Sequence, residues 1–163
     1  MRKYFWIIIA AVLVIALAFV LKNGFGKKEW TVGKDIRSQD VTDFYYTLSS
    51  STNPPVFQRY RFYPRDGKHY FYHEKREGDH WPLDESDITV SGEIELSEEQ
   101  WNRVFELLSR GTVREREDSL ESGDSGPWLY LYWKNDKGVF NQFEFETVEK
   151  KLAFEQYCRQ LKG

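Results

Sequence analysis

The chain predicts an α+β protein, with one apolar transmembrane segment at its N-terminus and then a small domain holding a mainly antiparallel sheet of about six strands and two helices. Three observations carry that expectation. Residues 5 to 21 read FWIIIAAVLVIALAFVL without a charge. Two pairs of extended segments flank turn-forming residues, and two later segments repeat apolar residues at helical spacing. The mean hydropathy of −0.65 therefore averages over unlike parts. At 163 residues, 40% hydrophobic and 17% aromatic, the chain is too apolar for a disordered polymer and supports one compact core. Large multi-domain enzymes and repeat arrays are excluded.

The apolar run makes roughly 25 Å of helix, slightly short of a bilayer core of about 30 Å, and Tyr4 and Lys22 extend it at the two interfaces. Residues 1–22 therefore read as a transmembrane anchor. The alternative is a cleaved signal, because Arg2 and Lys3 form a basic start and Ala16-Leu17-Ala18 has a small-x-small pattern; Phe19-Val20-Leu21 continue the run past that site. A short basic N-terminus ahead of the run favours the C-terminal domain outside the cytoplasm, although Lys22, Lys27 and Lys28 balance the count on the other side.

Residues 23–38 contain Gly24, Gly26 and Gly33 among charges and read as a flexible linker, leaving 39–163 as the domain. Val41 to Leu48 alternates Phe44, Tyr46 and Leu48 on one face. Phe57 to Tyr63 and His69 to Lys75 flank Asp66-Gly67, a strong hairpin signal. With a bulge at Gly67, Tyr60, Phe62, Tyr70 and Tyr72 share one face; a two-residue turn reshuffles the sides. Glu77 to Asp87 is an acidic loop around Trp81-Pro82. Ile88, Val90, Ile94 and Leu96 then alternate with polar residues as a half-buried strand. Ser97-Glu98-Glu99-Gln100 is a capping box, followed by Trp101, Val104, Phe105 and Leu108 at helical spacing up to Gly111. Residues 112 to 127 read as a long charged loop. Trp128 to Lys134 and Val139 to Glu146 flank Asn135 to Gly138 as a second hairpin, and its first strand is apolar on both faces, as in a central strand. Residues 148 to 161 close the chain as a helix, with Phe154, Tyr157, Cys158 and Leu161 aligned.

From Trp30 onward the chain has 18 Lys plus Arg against 25 Asp plus Glu, a net of −7. Such a domain is repelled by phosphate backbones, so nucleic acid is not an expected partner. The single Cys158 excludes a disulfide-stapled fold.

Several constellations invite a chemical reading. Gly123-Asp124-Ser125-Gly126-Pro127 resembles the nucleophile segment of trypsin-like serine proteases with one glycine missing, but the chain is too short for that two-barrel fold and no His stands in that family's context. His69 and His73 lie four apart in a strand, roughly 13 Å, too far to share an ion, and His80 lies in a loop, so no metal site is expected. Glu93 with Glu95, and Glu144 with Glu146, are carboxylates two apart on strands, a spacing compatible with glycoside hydrolysis and also the ordinary wet side of a half-buried sheet. No phosphate loop, Cys cluster or dinucleotide fingerprint occurs, and no cofactor is expected.

Packing accounts for most of the aromatic content, 12 Phe, 10 Tyr and 6 Trp, because a small sheet needs large side chains to fill its core and Tyr and Trp suit half-exposed positions. A strip of Tyr45, Tyr63, Tyr70, Tyr72 and Trp81 is the candidate binding surface for sugars or a partner protein. A basic N-terminus, one apolar span, a Gly/Lys tether and a small acidic domain, with Ile94 to Trp101 leading into a capped helix and then the hairpin at Asn135 to Gly138, resemble the uncharacterised single-pass membrane-anchored proteins of Gram-positive anaerobic bacteria. That resemblance implies a cell-envelope setting, attachment to the membrane through residues 5–21 and no particular activity. The expectation is a non-enzymatic extracytoplasmic module that binds an envelope protein or glycan. The alternatives are a small cell-wall hydrolase using Glu93, Glu95, Glu144 and Glu146, or a membrane-tethered cytoplasmic regulator with the anchor inverted.

Overall fold

The computed structural model describes residues 29–116, 126–134, 136, 138 and 140–161. They form one antiparallel sheet of eight strands: β1 Glu29–Thr31, β2 Val41–Ser50, β3 Val56–Arg65, β4 Lys68–Arg76, β5 Ile88–Leu96, β6 Thr112–Arg116, β7 Trp128–Trp133 and β8 Phe140–Glu144. The spatial order is β1-β6-β8-β7-β2-β3-β4-β5. Two helices, α1 Glu98–Leu108 and α2 Val148–Leu161, complete the fold.

The expected fold class is corrected on two counts. About six strands become eight, because β1 lies inside the segment read as a linker and β6 inside the segment read as a charged loop. Neither announces itself: β1 is three residues long, and β6 reads TVRER with Val113 as its one apolar residue. Pairing identifies them instead, since Trp30 stands opposite Val113 and Val113 opposite Phe143. The chain just after β1 also contributes to the core, with Val32 and Ile36 almost wholly buried. The second correction concerns the membrane: no helix among the described residues is long and apolar enough to cross one. The run at residues 5–21 lies outside the described residues.

The hairpin from β3 to β4 turns on two residues, Asp66 with φ 52° and Gly67 with φ 74°, the mirror-image turn that matches strand twist and that Asp-Gly accommodates. There is no bulge at Gly67, so the expected sharing of Tyr60 and Phe62 with Tyr70 and Tyr72 is corrected. Phe62 stands opposite Phe71 and Tyr60 opposite His73, while Arg61 opposes Tyr72 and Tyr63 opposes Tyr70. Opposed residues project to the same side of a sheet, and the two faces follow from these pairs.

One face is the core. Phe44, Tyr46, Tyr60, Phe62, Phe71, Leu129, Leu131, Val113 and Phe143 are buried there beneath the helices. From α2, Phe154 sits among Phe44, Phe62 and Phe145, with ring centres 5.4 to 5.7 Å apart. Helix α1 begins with the capping box read from sequence: Gln100 N–H donates to Ser97 Oγ at 3.1 Å and Ser97 N–H donates to Gln100 Oε1 at 2.8 Å. It buries Trp101, Val104, Leu107 and Leu108. Past its end the left-handed residue is Arg110, at φ 65°. Gly111 serves close approach instead, since a Cβ there would come within 2.5 Å of the Phe143 ring and 2.8 Å of the Glu144 carbonyl oxygen.

The half-buried strand expected at residues 88 to 96 is only partly so. Leu96 is buried under α1, but Val90 and Ile94 are 45% and 40% exposed. They lie on the helix side of β5, opposite Lys75 and Phe71, at the sheet's outer edge.

Candidate binding face

The opposite face of the sheet carries neither helix. Alternation along four adjacent strands brings Asp43, Tyr45 and Thr47 of β2, Phe57, Arg59, Arg61, Tyr63 and Arg65 of β3, Tyr70, Tyr72, Glu74 and Arg76 of β4, and Glu93 and Glu95 of β5 to this side. From β7, Tyr130 joins opposite Tyr45. Polar and aromatic residues interleave because every second position of β3 from 59 to 65 is Arg or Tyr, and a pleated strand sends alternate side chains to one face.

The arginines are held in fixed geometry. Arg61 grips Asp43 through two parallel bonds, Nε to Oδ1 at 3.0 Å and Nη2 to Oδ2 at 2.6 Å, and its guanidinium lies 4.6 Å from the Tyr63 ring centre. Arg65 donates to Glu93 Oε1 at 2.6 Å and stacks 4.2 Å over Tyr70. Tyr63 and Tyr70 stack at 5.9 Å, and the Tyr63 hydroxyl donates to Glu93. Arg76 binds Glu74 at 2.6 Å and stacks 4.4 Å over Phe57, while Tyr72 donates to the other Glu74 oxygen at 3.0 Å. Arg59 donates to Thr47 Oγ1 at 3.0 Å and lies over both Phe57 and Tyr45. Bidentate pairing and ring stacking suit arginine and not lysine.

Exposure varies across the lattice. Glu74 and Arg76 are nearly buried, whereas the side chains of Arg61 and Arg65 stay 44% and 49% exposed. The charges are largely compensated within the face, so the surplus of carboxylates in the domain lies elsewhere.

The hydrogen bonds from Arg65 and Tyr63 hold the Glu93 carboxyl below its usual range. A carboxylate whose folded pKa is lowered stabilises its contacts fully above its ordinary pKa, and that contribution is lost as pH falls through the lowered value. The expected result is that the Arg65–Glu93–Tyr63 cluster stays ordered at neutral pH and loosens only in acid, below the range in which a free Glu protonates. Carbon-detected NMR titration of the Glu93 carboxyl checks it; a titration at or above the ordinary value counts against the cluster.

Four of the five residues read from sequence as a surface, Tyr45, Tyr63, Tyr70 and Tyr72, come together on this face. Trp81 does not join them through any ring contact among the described residues; it lies half-buried in the loop between β4 and β5. The arginines were the missed part. Their signal was present in the alternation of Arg59, Arg61 and Arg65 with Tyr60 and Phe62, but the expected bulge put Tyr70 and Tyr72 on the face of Tyr60 and Phe62 and so parted them from the arginines.

The paired carboxylates do not assemble into one site. Glu93 and Glu95 stand on β5 and Glu144 on β8, five strand spacings or roughly 24 Å away. Glu95 is bound by Lys68 at 2.7 Å, and Glu146 by Arg110 at 2.9 Å and Lys150 at 3.0 Å. A general acid requires a raised pKa, and Glu93 moves the other way.

The histidines are separately engaged. His69 stacks on Trp101 with ring centres 4.1 Å apart and stands 3.4 Å from Glu98. His73 stacks on Tyr60 and lies 3.1 Å from the Gln58 amide. His80 meets Asp87 at 3.2 Å. Among the described residues no three His, Cys, Asp or Glu side chains are grouped to hold a metal ion. Of the protease-like motif, Gly123, Asp124 and Ser125 lie outside the described residues.

No family model matches this chain, and neither does any curated protein or solved structure.

Proposed function

We propose that the domain is a non-enzymatic binding module of the cell envelope whose working surface is the helix-free face of the sheet. One observation carries the reading: Tyr45, Tyr63, Tyr70 and Tyr72 lie interleaved with Arg59, Arg61, Arg65 and Arg76 on one continuous face. Tyr and Arg are the residues that dominate binding energy at interfaces, because each offers a large rigid contact area with a polar tip. Arginines already locked to Asp43 and Glu93 need little further ordering when a partner arrives. An envelope protein is the partner that uses both features; a neutral glycan would use the rings alone. Arg2 and Lys3 ahead of the apolar run 5–21 support display outside the cytoplasm at the cell membrane.

The test uses the full-length chain. Saturable binding to the isolated envelope fraction is expected, weakened about tenfold or more by Tyr63→Ala with Tyr70→Ala, about 1.4 kcal/mol per decade, with the variant still folded by circular dichroism at the binding temperature. Protease treatment of intact cells is expected to remove a C-terminal tag while a cytoplasmic marker survives. Turnover of cell-wall polymer, or a protected tag, overturns the envelope-binding reading.

A further inference from the structure

The sheet ends very differently at its two edges. Strand β1 is three residues long, a short edge of the kind that resists further pairing, whereas β5 runs nine residues from Ile88 to Leu96 and has no strand on its outer side among the described residues. Natural edges are blunted by Lys, Pro, bulges or brevity. Residues 88 to 96 contain neither Lys nor Pro, and the register shift against β4 falls at Lys75/Arg76, opposite the strand's first residues, leaving Val90 to Leu96 regular.

The side chains of that regular stretch are arranged symmetrically about Gly92. On the helix side Val90 and Ile94 stand two residues either way, both exposed. A Cβ built on Gly92 would meet nothing within 4 Å, so a gap lies between them. Phe71, His73, Val90, Ile94 and Leu161 surround it as a recess of about 200 Å³. On the other side Ser91 mirrors Glu93.

We propose that β5 is the pairing edge of a homodimer, in which a second copy of this chain adds its own β5 antiparallel with the two Gly92 residues opposed across a twofold axis. Self-pairing in this register sets Val90 against the second copy's Ile94 on the apolar side, twice over. On the polar side it sets Ser91 against Glu93, twice over, so neither Glu93 faces a carboxylate directly, where like charges are destabilising. The two Glu93 side chains meet only on the diagonal, and each is already paired with Arg65 at 2.6 Å. Each Glu95 is likewise paired with Lys68. The apolar pattern, the gap at the axis and the charges are thus complementary to themselves, which an isologous interface requires. An open edge adds main-chain bonds at the same time.

Cysteine pairing tests the register. The native Cys158 is wholly buried, so an introduced thiol is the accessible one, and the open space at Gly92 accepts a side chain. Purified full-length Gly92→Cys in mild detergent is treated with copper phenanthroline or a short bis-maleimide, beside Gln156→Cys on the exposed side of α2 as control. At least tenfold more cross-linked dimer is expected for Gly92→Cys than for Gln156→Cys. Val90→Cys and Ile94→Cys are expected to link poorly alone, because each lies four residues from its own copy, and well when mixed. Wild-type chain is expected to sediment as a concentration-dependent dimer that Val90→Lys makes monomeric. Monomeric wild type, or linking at Gly92 no greater than at Gln156, overturns the proposal, including the case in which the edge takes a different strand.

Discussion

Phe154→Ala is expected to destabilise the domain by about 3–5 kcal/mol, the range for removing a fully buried phenylalanine. Phe154 is wholly buried and is the hub at which α2 meets the sheet: Phe44, Phe62, Tyr46 and Phe145 all place ring centres within 6.0 Å of it. Truncation leaves a cavity walled by four rings on a sheet that cannot collapse to fill it, because its strands are fixed by their ladders. For a domain of this size the melting temperature is expected to fall by more than 10 °C. Phe154→Leu is expected to recover about half of the loss, since it restores most of the volume without the ring contacts. Thermal melts followed by near-ultraviolet circular dichroism check both; a loss below about 1 kcal/mol for the alanine variant would mean that α2 does not anchor the core.

Arg76→Ala is the second large effect, about 3 kcal/mol, and its cause is electrostatic. Glu74 is 8% exposed at the side chain and holds Arg76 at 2.6 Å, with Tyr72 on its second oxygen. Removing the guanidinium leaves a nearly buried carboxylate without the cation bonded to it, and breaking a buried pair costs about 3–5 kcal/mol because a charge is stranded. Removing both charges together is different: Glu74→Gln with Arg76→Met keeps the volume and is expected to lie within about 1 kcal/mol of wild type. Denaturant melts of Glu74→Gln, Arg76→Met and the double variant form the cycle that separates the pair from its stranding cost. Additive losses would show that the two side chains act independently.

The elements with strong local signals were legible in the sequence. The capping box at Ser97 and Gln100 marks the start of α1, and the spacing of Phe154, Cys158 and Leu161 marks α2, because helical order is written within four residues. The two added strands were not. Thr112 to Arg116 is a strand only because Phe143 and Trp30 lie on either side of Val113, and such support comes from residues distant in sequence. The candidate face was half legible. Its tyrosines stood out by composition, but which residues share a face depended on one residue of register at Asp66-Gly67, where a bulge and a two-residue turn give opposite answers. The exposure of Val90 and Ile94 was illegible for a related reason: alternation says that a strand has an apolar side, not whether anything covers it.

The strand order has a kinetic consequence. Strands β2 to β5 form an unbroken meander, each pairing with its immediate successor, from residues 41 to 96. The other half is gathered from Glu29–Thr31, Thr112–Arg116 and the segments from Trp128 to Glu144, and it joins the meander along one line where Tyr46 pairs with Leu129. Closing that line, and the β1–β6 pair in which Trp30 meets Val113, brings together residues more than eighty apart. The entropy of closing such loops must be lost before any contact repays it. Assembly therefore has a fast local part and a slow seam, and while the seam is open the faces of β2 and β7 that later carry Phe44 and Leu131 stand bare to any other chain nearby.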